Sequence, residues 1–353
     1  MSAPERAIAR IDLGAIERNC THLRSLLVDG SELCAVVKAD GYGHGAVWAA
    51  KASLAGGASW LAVATAGEAE DLRRHGVAER ILVMGALTRE EQRVAREAEA
   101  DVVAWTPDVA CDRLHVKLDT GMGRLGTKDW AEAVRLARDD RVVGLMTHFA
   151  TADEPGDEYF PAQLERFRKF VDAVGCDDLL VHAANSAATY RDPAAHFDLV
   201  RCGIAIYGMD PFGEDPAQRG LEPALSLHSW VAAVRRFEPG ESAGYGRRWA
   251  ASEPTWVATV PIGYGDGWRR GLTNDCDVLI RGCRFPLVGT VSMDNVTVDL
   301  GGETDVSVGD EVVLIGRQAD ERILAEEVAR RLDTINYEIT CGLSPRVRRL
   351  HVR

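Results

Sequence analysis

The chain has 353 residues and a formal net charge of −13, from 41 basic and 54 acidic side chains. This length favours two domains, and the acidic balance argues against nucleic acid or a membrane surface as a partner. No apolar run approaches the roughly 20 residues of a membrane span, and the polar start is not that of a signal peptide. Eight scattered cysteines without a CxxC pair predict reduced thiols in a cytoplasmic protein, with no metal site.

The first part of the chain alternates short apolar runs with amphipathic stretches rich in Ala, Glu and Arg. Eight β–α units of this kind predict a closed parallel (β/α)8 barrel of the TIM type. An open doubly wound sheet would give the same alternation, but the βα turns lack a GxGxxG fingerprint. The predicted strands are 33–38, 60–64, 81–85, 101–105, 114–119, 142–148, 179–184 and 197–201, and the predicted helices include 46–55, 68–74, 89–98, 130–137 and 161–173.

One barrel unit is irregular, because only residues 106–113 separate the fourth predicted strand from the fifth. A parallel crossover needs a dozen residues or more. We therefore expect a stunted turn there, with a local gap in the outer ring of helices.

After residue 211 the sequence pattern changes to runs rich in β-branched residues, separated by Gly, Pro and Asp. These runs predict a mainly antiparallel β domain, interrupted by one helix near 323–332. The predicted domains are 13–222 and 223–353, joined by a linker at 209–222, and the segment 1–12 is a candidate to pair with the second domain. The predicted strands of the second domain are 225–237, 255–262, 277–281, 285–291, 296–300 and 311–315.

Barrel enzymes place their chemistry at the carboxyl ends of the strands. Lys38, His148, Ser186 and Arg201 all fall at such ends. A lysine that closes an apolar strand is either a snorkelling stem or a functional amine. Ser186 and the backbone of 203–204 follow strands seven and eight, where barrels commonly bind phosphate.

Eight strings, in order along nearly the whole chain, accompany the run VVKADGYGHG at 36–45. They are IDLGAIERN, VKLDTGMGRLG, THFA, NSAAT, VRCGIAIYG, GYGRRW, IGYGDG and VGTVSMDNVTVDL. Together these strings resemble those of the alanine racemases. This resemblance implies a cofactor, pyridoxal 5′-phosphate (PLP), joined to Lys38, and Arg201 facing the pyridine nitrogen. The cofactor-binding residues that it implies are Lys38, Tyr42, His148, Ser186, Arg201, Gly203, Ile204 and Tyr337.

The same resemblance implies that L- and D-alanine are interconverted through an external aldimine, supplying D-alanine for peptidoglycan. Racemisation needs a proton to leave one face and another to arrive on the opposite face, so two acid/base groups are expected, Lys38 and Tyr245. Positive charge on His148 or Arg201 would help the tyrosine to ionise.

Substrate recognition is also implied by the resemblance. Arg124 would bind the alanine carboxylate, Met293 and Asp294 would shape a small pocket, and Tyr264 would narrow its entrance. Lys117 is the candidate for carbamylation, which would turn its cation into an anion able to orient Arg124. The expected working unit is a homodimer in which Tyr245 and Met293 act on the partner's Lys38 site.

Three alternatives accompany this interpretation. A barrel decarboxylase with PLP would place a carboxylate, not Arg201, at the pyridine nitrogen. A PLP carrier without activity would have no use for the β domain or for Tyr245. A racemase of broader specificity, for serine or lysine, differs only in pocket volume, which the sequence does not give.

Overall fold

The computed structural model describes residues 6–353. They divide into two compact units, one formed by 15–222 and the other by 6–14 together with 223–353. Strand β1 (Ile8–Asp12) belongs to the second unit, and helix α1 (Leu13–Ser25) follows it in the chain. Within the described residues, no helix has the length and apolar character needed to cross a membrane.

The first unit is a closed barrel of eight parallel strands, which confirms the predicted fold class. Each strand pairs with the next along the chain, and the last strand pairs back onto the first. The strands are almost entirely buried, as expected where helices cover the outer face of a parallel sheet. They are β2 (Glu32–Val36), β3 (Trp60–Val63), β4 (Arg80–Val83), β5 (Asp101–Ala104), β6 (Leu114–Lys117), β7 (Val142–Met146), β8 (Leu180–His182) and β9 (Leu199–Cys202).

Helices follow most of these strands. Two of them start with a capping box, in which Thr65 pairs with Glu68 and Thr88 pairs with Glu91. No helix lies between β5 and β6 in this described stretch, and the turn there borders a cavity beside Trp105. The helices of this unit are α2 (Lys38–Tyr42), α3 (Ala46–Ala55), α4 (Ala66–Arg74), α5 (Arg89–Glu97), α6 (Trp130–Leu136), α7 (Tyr159–Val174) and α8 (Ser186–Arg191).

The second unit is a mainly antiparallel sheet, again as predicted. Strand β1 pairs with β10 in antiparallel fashion and with β18 in parallel fashion. Two helices, α9 (Ala325–Arg331) and α10 (Asn336–Cys341), belong to this unit. The remaining strands are β10 (Leu225–Trp230), β11 (Ala233–Phe237), β12 (Thr255–Val260), β13 (Asp277–Ile280), β14 (Cys283–Val288), β15 (Val296–Gly301), β16 (Glu311–Gln318), β17 (Glu321–Ile323) and β18 (Arg348–Val352).

Two details of the second unit differ from the sequence prediction. The run 225–237 was predicted as one strand but forms two, because the N–H of Val231 donates to Asp310 and the next N–H, of Ala232, donates to Thr259. Consecutive residues thus bond to different parts of the sheet. The predicted helix at 323–332 is shorter than expected, and the second helix of this unit was not predicted.

Candidate active site

The carboxyl ends of the barrel strands bring the predicted barrel residues to one end of the unit. Lys38 stands two residues after β2, and Lys117 is the last residue of β6. His148 follows β7 by two residues, and Arg201 lies next to the last residue of β9. Ser186 is the first residue of α8, the helix that follows β8. This placement follows from parallel strands, whose carboxyl ends meet at one rim.

The segment after Lys38 is a turn of left-handed helix. Ala39, Asp40, Gly41 and Tyr42 have φ angles of 52°, 53°, 60° and 53°. L-residues pay about 1–2 kcal/mol each for this conformation, so it persists only where neighbours fix it. Here the N–H of Ala39 donates to Glu68 Oε1 at 2.7 Å, and Asp40 Oδ1 accepts from the N–H of Ala46 at 3.0 Å. The turn is therefore held by the first turn of α3, the next helix in the chain, and by the first turn of α4, the helix after β3.

This turn sets the phenol of Tyr42 against the loop after β9. A Cβ added at Gly203 would lie 2.4 Å from Tyr42 Oη, so only glycine allows this approach. Ser186 Oγ accepts from the N–H of Gly203 at 3.0 Å and from that of Ala205 at 3.4 Å. Ile204 starts a short 3-10 helix, where the first N–H groups lack intrahelical acceptors. The structure thus brings together Tyr42, Ser186, Gly203 and Ile204, four of the eight cofactor-binding residues that the sequence resemblance implies.

Arg201 is buried, with 3% of its side chain exposed, and its donors are only partly used. Nη1 donates to His182 Nδ1 at 2.8 Å, and Nη2 donates to the carbonyls of Thr147 and Ala183, both at 2.9 Å. Nη2 also lies 3.2 Å from His148 Nδ1. Within the described residues, its Nε has no hydrogen bond, and one of the five N–H groups of a guanidinium is left on Nη1 as well. Such a group suits an acceptor atom supplied by a ligand.

The barrel end is strongly electropositive. Burial lowers the pKa of Arg201 to about 10, which leaves it charged at neutral pH. Burial, and then Arg201 and Lys117, lower the pKa of His148 well below its ordinary value. His148 is therefore neutral, and the expectation that it supplies positive charge is wrong, because a buried imidazole beside cations loses its proton first. Arg201 remains as the charge that the sequence argument required.

Lys117 is 4% exposed and, in the part of the chain that the structure describes, its side-chain amine forms neither a hydrogen bond nor an ion pair. Burial, followed by the charges of Arg201 and Arg124, lowers its pKa to about 8. A buried ammonium without a partner is unfavourable, so this amine is disposed to lose its charge. Arg124 lies in the loop after β6, is exposed, and is close enough to act on this lysine through its charge. Asp119 shapes the loop by accepting from two glycine N–H groups.

The second unit presents its predicted residues on neighbouring loops. Tyr245 is 73% exposed, Met293 51% and Tyr264 42%. The N–H of Tyr264 donates to Ser292, and Thr290 Oγ1 donates to the carbonyl of Tyr245 at 2.6 Å. These bonds join the loops of Tyr245 and Tyr264 to the segment 290–293, which contains Met293. Three large apolar side chains, each exposed on one group of loops, form a surface suited to contact with another molecule.

Two further residues predicted in this unit have different settings. Asp294 accepts from Arg346 at 2.7 Å and from Arg6 at 3.5 Å, and the Arg346 guanidinium holds the pKa of this carboxyl below its ordinary value. Its charge is thus already paired, which favours a role in fixing the 290–293 loop. Tyr337 lies in α10.

The sequence argument missed the polar residues behind Arg201. Asp101, His115 and His182 are buried in strands β5, β6 and β8, with 2%, 0% and 0% exposed. A signal was available, because residues two apart on a strand share a face, and His115 precedes Lys117 by two. The strands were selected for their apolar residues, so the polar residues inside them were passed over.

Two family models cover almost the entire chain. One, described as the alanine racemase N-terminal domain, matches residues 11–211, and the other, the alanine racemase C-terminal domain, matches 224–351. The chain belongs to the alanine racemase family. The order of the two models agrees with the order of barrel and sheet along the chain.

Sequence relatives and solved structures of this family resemble the chain over nearly its full length. Alanine racemase 1 of Bacillus subtilis is 41% identical over 97% of this chain and 92% of its own, and alanine racemase of Geobacillus stearothermophilus is 42% identical over 98% and 93%. The alanine racemase crystal structure from Streptomyces lavendulae aligns with a TM-score of 0.93 and 37% identity, covering 100% of this chain and 98% of its own. That from Bacillus anthracis, with bound L-Ala-P, aligns with a TM-score of 0.90 and 38% identity, covering 100% and 96%.

Proposed function

We propose that this chain is an alanine racemase that binds PLP through Lys38 and supplies D-alanine for peptidoglycan. The observation that carries the proposal is the convergence, at one barrel end, of a lysine, a buried arginine with unused donors, and a loop of N–H groups and hydroxyls around Ser186. The named alanine racemases that match the chain support the same activity.

The residues present fit PLP. Lys38 would carry the covalent link, Arg201 would donate from its unused N–H groups to the pyridine nitrogen, and Ser186 with the loop at 203–204 would bind the phosphate, with Tyr42 adding a phenol donor. Tyr337 would add a second phenol. An arginine keeps its proton at neutral pH, so the ring nitrogen would stay unprotonated and the ring a moderate electron sink. An arginine there does not favour a decarboxylase of the same barrel class.

When bound, PLP draws electrons from the Cα of an attached amino acid and so makes its hydrogen acidic. Lys38 Nζ, released from its link, would exchange a proton on one face of the substrate. The hydroxyl of Tyr245 would do so on the other face, which gives the two opposed acid/base groups that racemisation needs. Arg124 would hold the alanine carboxylate through charge-assisted hydrogen bonds.

Carbamylation of Lys117 would explain why its buried amine has no partner among residues 6–353. Carbon dioxide reacts with neutral amines, and a lysine whose pKa is about 8 supplies more of the neutral form than an ordinary one. The product is an anion among cations. Its attraction to those cations would offset the cost of burying a charge there, and it would orient Arg124.

The exposed loops of the sheet domain support a homodimer with shared sites. We propose that the partner subunit's Tyr245 and the partner subunit's Met293 cover the barrel end, with Tyr264 at the entrance. Burying these large exposed side chains in a subunit interface would remove apolar surface from water.

A panel of amino acids tests the proposed activity and its breadth. Purified protein supplied with PLP should interconvert L- and D-alanine, with far slower rates for serine, lysine and arginine. Chiral chromatography of the products gives the rates. Equal rates for all four amino acids would show a racemase of broader specificity. If none of the four amino acids were racemised, the proposal would be refuted.

A further inference from the structure

A continuous chain of buried hydrogen bonds runs across the barrel from its wall to Arg201. Asp101 Oδ2 lies 3.0 Å from His115 Nε2, and His115 Nδ1 lies 2.7 Å from His182 Nε2. His182 Nδ1 is 2.8 Å from Arg201 Nη1. At its outer end, Asp101 is paired with Arg80 at 2.6 Å and Arg113 at 2.8 Å.

The contact between His115 and His182 requires that β7 has no side chain at the point where the hydrogen bonds pass it. Its members come from β5, β6, β8 and β9, and β7 lies between His115 and His182. At the point of crossing, β7 has Gly144, the register partner of His115. A Cβ at Gly144 would lie 2.4 Å from His115 Nδ1. The imidazole thus occupies the space that a side chain on β7 would otherwise fill.

The direction of every hydrogen in the chain follows from the arginine. A guanidinium only donates, so His182 Nδ1 must accept and its proton must be on Nε2. That proton is donated to His115 Nδ1, which leaves the proton of His115 on Nε2. This last proton is donated to Asp101, a carboxylate that only accepts.

Protonated histidines are incompatible with this chain. A second proton on His182 would face the N–H of Arg201, and a second proton on His115 would face the N–H of His182. Burial is also the leading cause of a lowered pKa in both rings. The two imidazoles are therefore neutral and share one tautomer.

We propose that Asp101 and His115 are positioning residues that act on Arg201 through His182, fixing which guanidinium N–H groups face the cofactor. This inference rests on the proposed function. Three of the five N–H groups of Arg201 donate to His182, Thr147 and Ala183. The chain of hydrogen bonds from Asp101 fixes the direction of the N–H group on Nη1 that donates to His182. Without an oriented acceptor at His182, that edge of the guanidinium would lose its anchor, and the N–H groups left for the ring nitrogen would no longer be fixed.

The first test reads the tautomers directly. In the holoenzyme labelled with ¹⁵N-histidine, the shifts of His115 and His182 at neutral pH should both report a neutral ring with the proton on Nε2. Assignment uses His115→Gln and His182→Gln. A charged ring, or a proton on Nδ1 of either residue, would overturn the inference.

The second test separates positioning from plain stability. His115→Met removes both hydrogen bonds, whereas His115→Gln keeps an acceptor for His182 and a donor for Asp101. His196→Met is the matched control, since His196 is also fully buried in this unit and has two hydrogen bonds, to Val28 and Thr189. We expect His115→Met to lower kcat by about ten-fold or more, with a smaller change in KM, and to move the absorbance maximum of the bound cofactor.

The inference is supported if His115→Gln partly recovers the rate and the spectrum and if His196→Met leaves the spectrum unchanged. Identical cofactor spectra in wild type and His115→Met would refute the inference. Failure of the proposed function is a separate result. Borohydride would then fix no cofactor on Lys38, while the protein without cofactor would still show the two histidine tautomers described, because they follow from hydrogen bonds among its own residues.

Discussion

The barrel and the sheet domain present their reactive side chains in opposite ways. In the barrel, Arg201 and Lys117 are 3% and 4% exposed, and Arg201 is held by four neighbours. In the sheet domain, Tyr245 and Met293 are 73% and 51% exposed, and they stand on loops. The barrel side is held by buried hydrogen bonds, as electrostatic catalysis requires, whereas the exposed side chains of the sheet domain are of the kind that contact another molecule.

The largest effect is expected from a substitution of Lys38 in the barrel. Lys38→Ala should abolish the covalent link and reduce racemisation by at least about 10³-fold, because one residue supplies both the attachment and a proton-transfer group. The matched control is Lys51→Ala, since Lys51 is an exposed lysine on α3. Borohydride reduction followed by peptide mapping should mark Lys38 in the wild type and in the control. An adduct on another lysine would contradict the prediction.

Mixing inactive variants tests whether the exposed loops serve another subunit. Lys38→Ala and Tyr245→Phe homodimers should each be nearly inactive. Unfolding them together and refolding should give heterodimers with one site that carries both defects and one that carries neither, so each heterodimer should recover to about half of wild-type activity.

The control for this experiment joins two defects of the same barrel. Heterodimers of Lys38→Ala with Arg201→Glu have a defect in every site and should recover nothing. If Tyr245 acted within its own chain, the first mixture would also stay inactive.

A change of charge at Arg201 sharpens the description of the barrel side. Arg201→Glu should favour a proton on the ring nitrogen, change the visible spectrum of the holoenzyme and slow racemisation by about 10²-fold or more. Arg201→Lys keeps the charge but loses the fork, so the ring nitrogen should stay unprotonated and the spectrum should change less than in Arg201→Glu. Circular dichroism checks that both variants fold. A wild-type spectrum and rate in Arg201→Glu would remove this residue from the cofactor site.

The smallest expected effect concerns Lys117. The native mass should exceed that of the chain with its bound cofactor by one carbon dioxide. This difference should be lost in bicarbonate-free acid and regained when carbon dioxide is added. An unmodified lysine, with its pKa lowered to about 8, binds fewer protons folded than unfolded. Relative to Lys117→Met, its free energy of unfolding would therefore rise by roughly 3 kcal/mol between pH 8 and 10.5. A carbamate gives no such rise. Denaturant titrations of both proteins across this window decide between the two states.

The sequence predicted the barrel well because each β–α unit carries a local signal. Buried parallel strands read as apolar runs, and their carboxyl ends located Lys38, Ser186 and Arg201 without any contact information. The sequence does not predict the break between β10 and β11 because Val231 and Ala232 are as apolar as the residues of a strand. Only the hydrogen bonds of Val231 and Ala232 to different partners reveal it.

The sequence could not predict how the site residues are held. The left-handed turn at 39–42 contains three non-glycine residues, whose ordinary backbone preference is right-handed, so local propensity did not predict it. The path from Asp101 to Arg201 crosses four strands that are far apart in the chain, and it depends on an absent side chain at Gly144. Contacts of this kind exist only after the barrel has closed.

The left-handed turn also has a consequence for the order of folding. A strained turn of this hand has little population in the unfolded chain, because nothing there offsets its cost. Its anchors, Glu68 and the N–H of Ala46, come from α4 and α3, so it forms only after those helices dock. Until then, Tyr42 has no fixed place beside Gly203. If PLP binds as proposed, its capture comes late in folding, and the appearance of bound cofactor during refolding should mark the completed barrel.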